Sequence, residues 1–406
     1  MRTKLQSERR SFYRVTAVLA ALIPVSAWSQ DPTINPHLER TSVAEEAKKD
    51  WLHYGPVDVL PNARTGVTYD DNIYIQPTNK RSDLIWSLSP GIALAAGDYS
   101  EKIETFGLLQ YSPTFLLFTR NGRNNAVDHD GKLDLQYRPG KWIFELQQGF
   151  QAYSGPFVDV GNRVDRRLYN TVLGAQYDLS PKTSVGATAT QSINDYAGYH
   201  SYNEWIFGGY ADYDVTPKIK LGAGVNGGFV DIQQSANQQY EQGLLRLKYA
   251  ASEKLDMRGS AGLELRQFDS GQSSRLNGVY TLGVTYRPVE KTSIVLDTYR
   301  RNQTSVVLQN QNYVTTGFSL GVRQAITPRF SAGLAGGYDH LKYMPSGPST
   351  VPLSRVDDYF FIRPTAEWSF NEHWNFGAFY QYRKNNSNSP FQFSNNQVGL
   401  HVSWQY

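Results

Sequence analysis

The chain has no cysteine among its 406 residues, which excludes a disulfide framework and a thiolate metal site. Beyond the amino-terminal region it has no run of 18 or more apolar residues, and its mean hydropathy is −0.49. A helical membrane protein is therefore excluded. Strands that cross a bilayer are not excluded, because alternating apolar and polar residues average to a modest hydropathy. The formal net charge of +3 is too small to indicate a nucleic-acid partner.

What the chain does have is strict alternation, most clearly over residues 397–406, which read QVGLHVSWQY. Apolar or aromatic residues occupy every second position, and polar or small residues lie between them. Ten such residues are the length of a tilted strand that crosses a bilayer. The stretch resembles the terminal strand of bacterial outer-membrane β-barrels, and Trp404 and Tyr406 are the candidate assembly signal. A soluble edge strand does not explain an outward face that stays aromatic to the last residue.

From residue 63 onward, short turns recur at intervals of mostly 36 to 41 residues, such as Ser180-Pro181-Lys182. Longer polar stretches separate them, including 153–166 and 300–311. Short turns at one end and longer loops at the other are typical of an antiparallel outer-membrane β-barrel. Eight turns predict an all-β barrel of about 18 strands with both termini in the periplasm. The first strand pair, near 63–75 and 83–96, has the weakest pattern, which leaves 16 strands as the alternative.

The phase of each strand follows from its charges, because an ionised side chain facing lipid at mid-bilayer costs about 1–4 kcal/mol. In residues 245–249 the leucines and tyrosine must face lipid, and the basic residues must face the lumen. The predicted lumen-lining residues are Lys220, Arg246, Lys248, Glu264, Arg266, Asp297, Arg323, Arg363 and Glu367. Two interpretations stay open. The cluster of Arg246, Lys248 and Arg266 attracts an anionic solute, or the lumen charges pair across neighbouring strands.

The amino-terminal region differs from the rest. Residues 1–27 are predicted to be a signal peptide, because basic residues precede a short apolar run and Val25-Ser26-Ala27 supplies small residues for cleavage. Residues 28–61 are predicted to be a periplasmic segment with a short helix near 43–52. This segment either stays in the periplasm or enters the barrel as a plug. The barrel itself is predicted to cover 62–406.

Catalytic constellations are scarce among the seven histidines. His340 follows Asp339, and His129 lies between Asp128 and Asp130. Adjacent residues of a strand point to opposite faces, so such neighbours share a site only in a loop. The sequence contains no phosphate-binding glycine loop and no convincing metal-ligand spacing. We therefore predict no enzyme activity, no metal site and no cofactor.

One short motif ends the first predicted strand: Tyr69, Asp70, Asp71 and Asn72. With the repeated turns, it resembles the outer-membrane β-barrel porin family often encoded among exopolysaccharide genes. The resemblance covers roughly 60–406. It implies residence in the outer membrane of a Gram-negative bacterium, no cofactor, and a role in polymer export or its assembly.

The resulting functional hypothesis is a channel that takes part in exopolysaccharide secretion. One alternative is a general diffusion porin for small solutes, and another is a structural or adhesin barrel without transport. The expected partners are outer-membrane lipid, the barrel-assembly machinery, polysaccharide and periplasmic export components.

Overall fold

The computed structural model describes residues 51–100, 102, 104–252, 254–348 and 354–406. Within these ranges the chain forms nineteen strands and one 3₁₀ helix, Gly122–Asn124. No helix in them is long and apolar enough to cross a membrane. The predicted signal peptide and the predicted helix lie outside the described residues, apart from Trp51 and Leu52. Leu52 begins the first strand.

The strands are β1 Leu52–Tyr54, β2 Val57–Asp70, β3 Asp83–Gly97, β4 Phe106–Phe118, β5 Ala126–Tyr137, β6 Trp142–Phe157, β7 Asn162–Ser180, β8 Thr183–Tyr196, β9 Tyr202–Thr216, β10 Ile219–Ile232, β11 Gln238–Ser252, β12 Leu255–Phe268, β13 Arg275–Tyr286, β14 Thr292–Thr304, β15 Gln311–Ala325, β16 Phe330–Pro345, β17 Val356–Ser369, β18 Trp374–Ser387 and β19 Phe393–Gln405.

Strands β2 to β19 form a closed antiparallel barrel. Each strand pairs with the next along the chain, and β19 pairs with β2 from Gln397↔Asp70 to Gln405↔Asn62. The short β1 pairs with the start of β2. The described residues therefore give the 18-stranded barrel predicted from the sequence, and the 16-stranded alternative is wrong. Closure gives each of these strands a paired neighbour on both sides, so none of them is an edge strand in the hydrocarbon of a bilayer.

One end of the barrel, which we call the turn end, carries the recurring tight turns. At five of them a Ser, Thr or Asn side-chain oxygen accepts a hydrogen bond from the backbone N–H two residues later, at 3.0–3.3 Å. The accepting residues are Ser180, Thr216, Ser252, Thr327 and Asn371. This local bond fixes the reversal of the chain, which explains why the turns recur with similar residues.

The opposite end, which we call the loop end, has shorter loops than the sequence pattern predicts. The stretch 153–166 is predicted to be a loop, but β6 continues to Phe157 and β7 begins at Asn162. Likewise β14 extends to Thr304, inside the predicted loop 300–311. The strands continue beyond the apolar band, where the outer face becomes polar while Phe157 and Val164 on the inner face join a buried apolar cluster. The alternation of apolar and polar residues therefore ends several residues before the backbone pairing of these strands does.

The outer surface is apolar and is bordered by two rows of aromatic side chains. On β9, Trp205 and Phe207 face outward near the loop end, and Tyr213 faces outward near the turn end. Eight residues separate Trp205 from Tyr213, which corresponds to roughly 20 Å along the barrel axis for a tilted strand. Between such rows lie exposed leucines such as Leu245, which is 73% exposed. This is the lipid-facing band of a transmembrane barrel.

Candidate functional site

The lumen is organised around ion pairs that reach across an intervening strand. Arg246 on β11 binds Asp212 on β9 with two bonds, Nε to Oδ1 at 2.9 Å and Nη2 to Oδ2 at 3.1 Å. Gly222 of β10 lies between them in the register. A Cβ there would lie 1.9 Å from Asp212 Oδ1, so the pair requires glycine at this position. The guanidinium also covers the ring of Tyr210, 4.0 Å from its centroid.

A second buried group lies towards the loop end, around Arg266. Its Nε is 2.8 Å from Glu264 Oε1, and its Nη1 donates to Gln238 Oε1 at 2.9 Å. The guanidinium lies over Tyr240, whose hydroxyl donates to Glu204 Oε1 at 2.7 Å. Arg266 and Glu264 are each 2% exposed. Both charges are therefore shielded from the membrane and held in a fixed geometry.

The other predicted lumen residues divide between paired and cavity-lining positions. Lys220 lies 3.5 Å from Asp214, and Arg323 lies 3.5 Å from Glu367. Arg363 donates to Gln381 Oε1 at 3.3 Å and covers the ring of Phe379. Lys248 lines the lumen cavity described next. Asp297 lies beside inward-facing Gly283, whose added Cβ would be 3.1 Å from Asp297 Oδ1.

A cavity of about 220 Å³ occupies the lumen beside β6 to β14. This volume is large enough for several water molecules, since one water needs at least about 10–15 Å³ of accessible space. Arg246, Lys248 and Arg266 all line it, but so do Glu204 and Glu264. The predicted basic cluster therefore faces one shared space, in which Arg246 and Arg266 already carry carboxylate partners. The lining carries seven basic and four acidic side chains, and two of the basic ones, Lys220 and Arg258, pair with Asp214 and Asp256 outside it. The space is therefore polar with a small formal excess of positive charge.

The loop end of the lumen is filled by loops that fold inward. Val158 from the β6–β7 loop and Val306 from the β14–β15 loop are each 1% exposed, as is Ile75 from the β2–β3 loop. They pack in two buried apolar clusters with aromatic residues of the wall. Sequence reasoning missed this closure. The available signal was the apolar run Val306-Val307-Leu308 inside a stretch predicted to be a polar loop.

A buried charge network joins these loops, and we call it the mouth network: Asp159, Ser305, Tyr343, Arg355 and Asp357. Asp159 accepts hydrogen bonds from the Tyr343 hydroxyl at 2.7 Å and the Ser305 hydroxyl at 3.2 Å. Arg355 bonds Asp357 at 2.5 Å and donates to the backbone oxygen of Asp159 at 2.7 Å. Arg355 and Asp357 are 0% exposed. Burial raises the pKa of Asp159, and the nearby Asp357 carboxylate adds to the rise, whereas the Arg355 charge and the Tyr343 hydrogen bond oppose it.

The Tyr69–Asn72 motif lies where the barrel closes. Asp70 accepts hydrogen bonds from the side-chain amides of Asn395, at 2.6 Å, and Gln397, at 2.7 Å. Asp71 accepts from the backbone N–H of Asn396 at 2.8 Å and from its side-chain amide at 2.7 Å. We call this group the seam clasp. It joins the end of β2 to the start of β19 and fixes the register of that pairing.

The remaining motif residues support the seam clasp. Asn72 is 0% exposed and donates to the backbone oxygens of Gln76 and Ser394. Tyr69 faces outward and is 48% exposed, in the loop-end aromatic row. The motif thus ends a strand, as predicted, and it also binds the last strand of the barrel.

The candidate assembly residues are placed at the turn end. Trp404 lies between Trp374 and Ala63 in the sheet register. Tyr406 follows the end of β19, with its ring 6.1 Å from that of His373. Their role as an assembly signal remains a prediction.

Trp51 lies inside the turn end of the lumen. It is 4% exposed and packs with Leu60, Ala93, Ala95 and Leu108, and its ring is 5.2 Å from that of Tyr99. The described part of the predicted periplasmic segment therefore contacts the inner wall. The first barrel strand also starts at Val57, within the range assigned to that segment.

The histidine motifs do not form catalytic pairs. His340 bonds Asp358 at 2.9 Å, whereas neighbouring Asp339 faces the lumen and binds the Tyr299 hydroxyl at 2.6 Å. His129 bonds the Tyr111 hydroxyl at 2.8 Å. Within the described ranges, no group of three or more His, Asp or Glu residues could hold a metal ion.

A closed barrel with an apolar belt, aromatic borders and a polar lumen defines a class: the outer-membrane, porin-like β-barrel channels. The family model described as "Putative beta-barrel porin 2" matches residues 211–406, a little under half of the chain. The protein is therefore an outer-membrane β-barrel of a Gram-negative bacterium. No match was found among curated protein sequences.

Comparison with solved structures finds several similar chains at low sequence identity. Pseudomonas aeruginosa OccK2 (OpdF) is 10% identical, with a TM-score of 0.45 over 88% of this chain and 99% of that one. Acinetobacter baumannii OccAB4 is 9% identical, with a TM-score of 0.45 over 86% and 98%. A structure described as a bacterial polysaccharide outer membrane secretin is 10% identical, with a TM-score of 0.33 over 85% and 98%.

Proposed function

We propose that the protein is a channel for hydroxyl-rich solutes and that it takes part in the secretion of exopolysaccharide. The observation that carries the proposal is the polar lumen cavity with its paired charges. Guanidinium groups, carboxylates and amides there can exchange hydrogen bonds with sugar hydroxyls. Because Arg246 and Arg266 are already paired with Asp212 and Glu264, the lumen does not trap solutes through a large unbalanced charge.

Two further points support a polymer as the solute. The motif Tyr69–Asn72 resembles that of barrels encoded among exopolysaccharide genes. The mouth network holds the inward-folded loops in place, so these loops would close the resting channel and move aside in the active one. We place the turn end in the periplasm, where export components would deliver the polymer. Assembly into the membrane would rely on the barrel-assembly machinery.

Gene deletion tests the proposal. Loss of extracellular polymer with unchanged uptake of small solutes would support secretion. The deletion strain should regain polymer with the wild-type gene. Normal polymer together with reduced uptake of small solutes would refute secretion.

A second candidate, a general diffusion porin, is favoured by one observation. The cavity of about 220 Å³ suits a small solute better than a polymer chain while the loop end is filled. Reconstituted channels that pass small uncharged sugars but fail to bind or conduct polysaccharide fragments would favour this candidate. Loss of cell attachment alone on deletion would instead indicate an adhesin.

A further inference from the structure

The barrel wall has an interruption between β13 and β14. Their pairing runs from Tyr286↔Ile294 only as far as Tyr280↔Arg300. However, β13 starts at Arg275 and β14 continues to Thr304. Within the described residues, positions 275–279 and 301–304 therefore lie along facing strands that no longer pair. We call this interruption the wall window.

The wall window exists because the end of β14 leans into the lumen. Residues Arg301 to Thr304 stay paired with β15. The loop that follows reaches the far side of the barrel, where the backbone oxygen of Val306 accepts from the N–H of His200 at 2.9 Å. Asn302, one strand beyond β13, donates to Glu264 of β12 at 3.2 Å. The end of β14 and the β14–β15 loop thus fold towards the lumen, while β15 stays paired with β16 as far as Gln311↔Pro345.

The wall window has a defined frame. Arg300 forms its lower corner, donating through Nε to the backbone oxygen of Gly278 at 3.1 Å and through Nη1 to Thr316 at 2.6 Å. Above it, the hydroxyl of Ser270 donates to the backbone oxygen of Ser346 at 2.7 Å. The β12–β13 loop and the β16–β17 loop therefore meet over the opening.

The lumen cavity reaches this frame. Val279, Tyr280 and Arg300 to Thr304 line the cavity together with Glu264 and Arg266. Two amide atoms beside the opening, Nδ2 of Asn277 and Oδ1 of Asn302, are buried and have no hydrogen-bond partner in the described structure. An unpartnered buried amide group is destabilising, and a hydroxylated solute or water in the opening would relieve that cost. On the outer side, Leu276 is 65% exposed.

We propose that the wall window is a lateral portal through which a hydroxylated, saccharide-type solute passes between the lumen cavity and the loop-end surface. The inference rests on the proposed channel function and adds a route to it. The direct route along the axis is filled by Val158, Val306 and the mouth network, whereas the cavity continues to the wall window. The solute would exchange hydrogen bonds with Asn277, Asn302 and Glu264 on its way.

A reversible cross-link tests the route, since the chain has no cysteine of its own. Continuing the register beyond Tyr280↔Arg300 would place Gly278 opposite Asn302, so the double variant G278C/N302C closes the wall window when oxidised. The matched control, L282C/T298C, joins the same two strands where they already pair. Conductance in KCl and liposome swelling with a pentose are measured before and after addition of a reductant.

Oxidised G278C/N302C should lose most of its conductance and swelling, and the reductant should restore both. L282C/T298C should be unaffected by either treatment. A second variant, G278W, blocks the opening without oxidation, with G227W on the outer face of β10 as its control. Unchanged permeation in folded G278W, or in fully cross-linked G278C/N302C, would overturn the portal. A wild-type protein that passes neither ions nor pentose would instead refute the channel function itself.

Discussion

Removal of the Arg355 side chain should open the loop end of the lumen. In the R355A variant, Asp357 loses its ion-pair partner, and the backbone oxygens of Val158 and Asp159 lose a donor. The guanidinium also stacks on Phe391, 3.8 Å from its centroid. Breaking a buried ion pair by removing one partner costs about 3–5 kcal/mol. The bonds to Val158 and Asp159 hold the β6–β7 loop against the start of β17, whereas the wall strands pair through their backbones. The cost should therefore fall mainly on the closed arrangement of the loops.

The expected size of the effect follows from that cost. Each 1.4 kcal/mol changes an equilibrium tenfold, so the ratio of open to closed loops should rise on the order of 10²–10³-fold. Single-channel recording in planar bilayers measures this ratio as the fraction of time spent in the highest conductance level. R81A, which removes an exposed arginine at the same end, is the control.

A clear result would refute the reasoning. If R355A keeps the wild-type conductance levels and occupancies while remaining folded, the mouth network does not hold the loops closed. The variant also bears on the wall window. Once the axial route is open, the oxidised cross-link between positions 278 and 302 should no longer abolish conductance.

Three further predictions concern stability and pH. D70A removes an acceptor of the seam clasp and should lower the unfolding temperature in detergent. Each donor left without a partner should reduce the free energy of unfolding by about 1–3 kcal/mol. The control D231A, at an exposed position, should leave the unfolding temperature unchanged. The raised pKa of Asp159 links loop closure to protonation: the closed state is fully favoured below the ordinary value of 3.8 and loses this advantage as pH rises through the raised value. Open-channel occupancy should therefore increase from acidic to neutral pH in the wild type and stay flat in D159N; the opposite trend would contradict the assignment. G222A should destabilise the barrel because its Cβ collides with the paired carboxylate, while G227A, which meets nothing within 4 Å, should be neutral in the same thermal assay.

The barrel could be predicted from the sequence because its determinants are local. Alternation fixes which side chain faces lipid, and the recurring turns fix the strand count. Lys248 beside Leu247 is enough to set the phase of β11, since the reverse phase would place a charge in hydrocarbon. The same rule extends to each strand with at least one charged residue.

The pairing inside the lumen could not be predicted in the same way. Arg246 and Asp212 are far apart in sequence, and their contact depends on Gly222 of the strand between them. The mouth network depends on loops that cross the barrel, bringing Asp159 next to Arg355. No periodicity in the sequence indicates which loops fold inward, so these contacts could not be predicted from it.

The seam clasp has a consequence for how the cylinder is completed. Its carboxylates lie at the end of the first wall strand and its amides lie in the last, so the bonds between them form only when the whole sheet has closed. Closure of the barrel therefore requires side-chain hydrogen bonds between the two ends of the polypeptide as well as backbone pairing of β2 with β19. A circularly permuted version, cut at the Pro217-Lys218 turn and joined between the original ends, would convert that final event into the folding of a neighbouring hairpin.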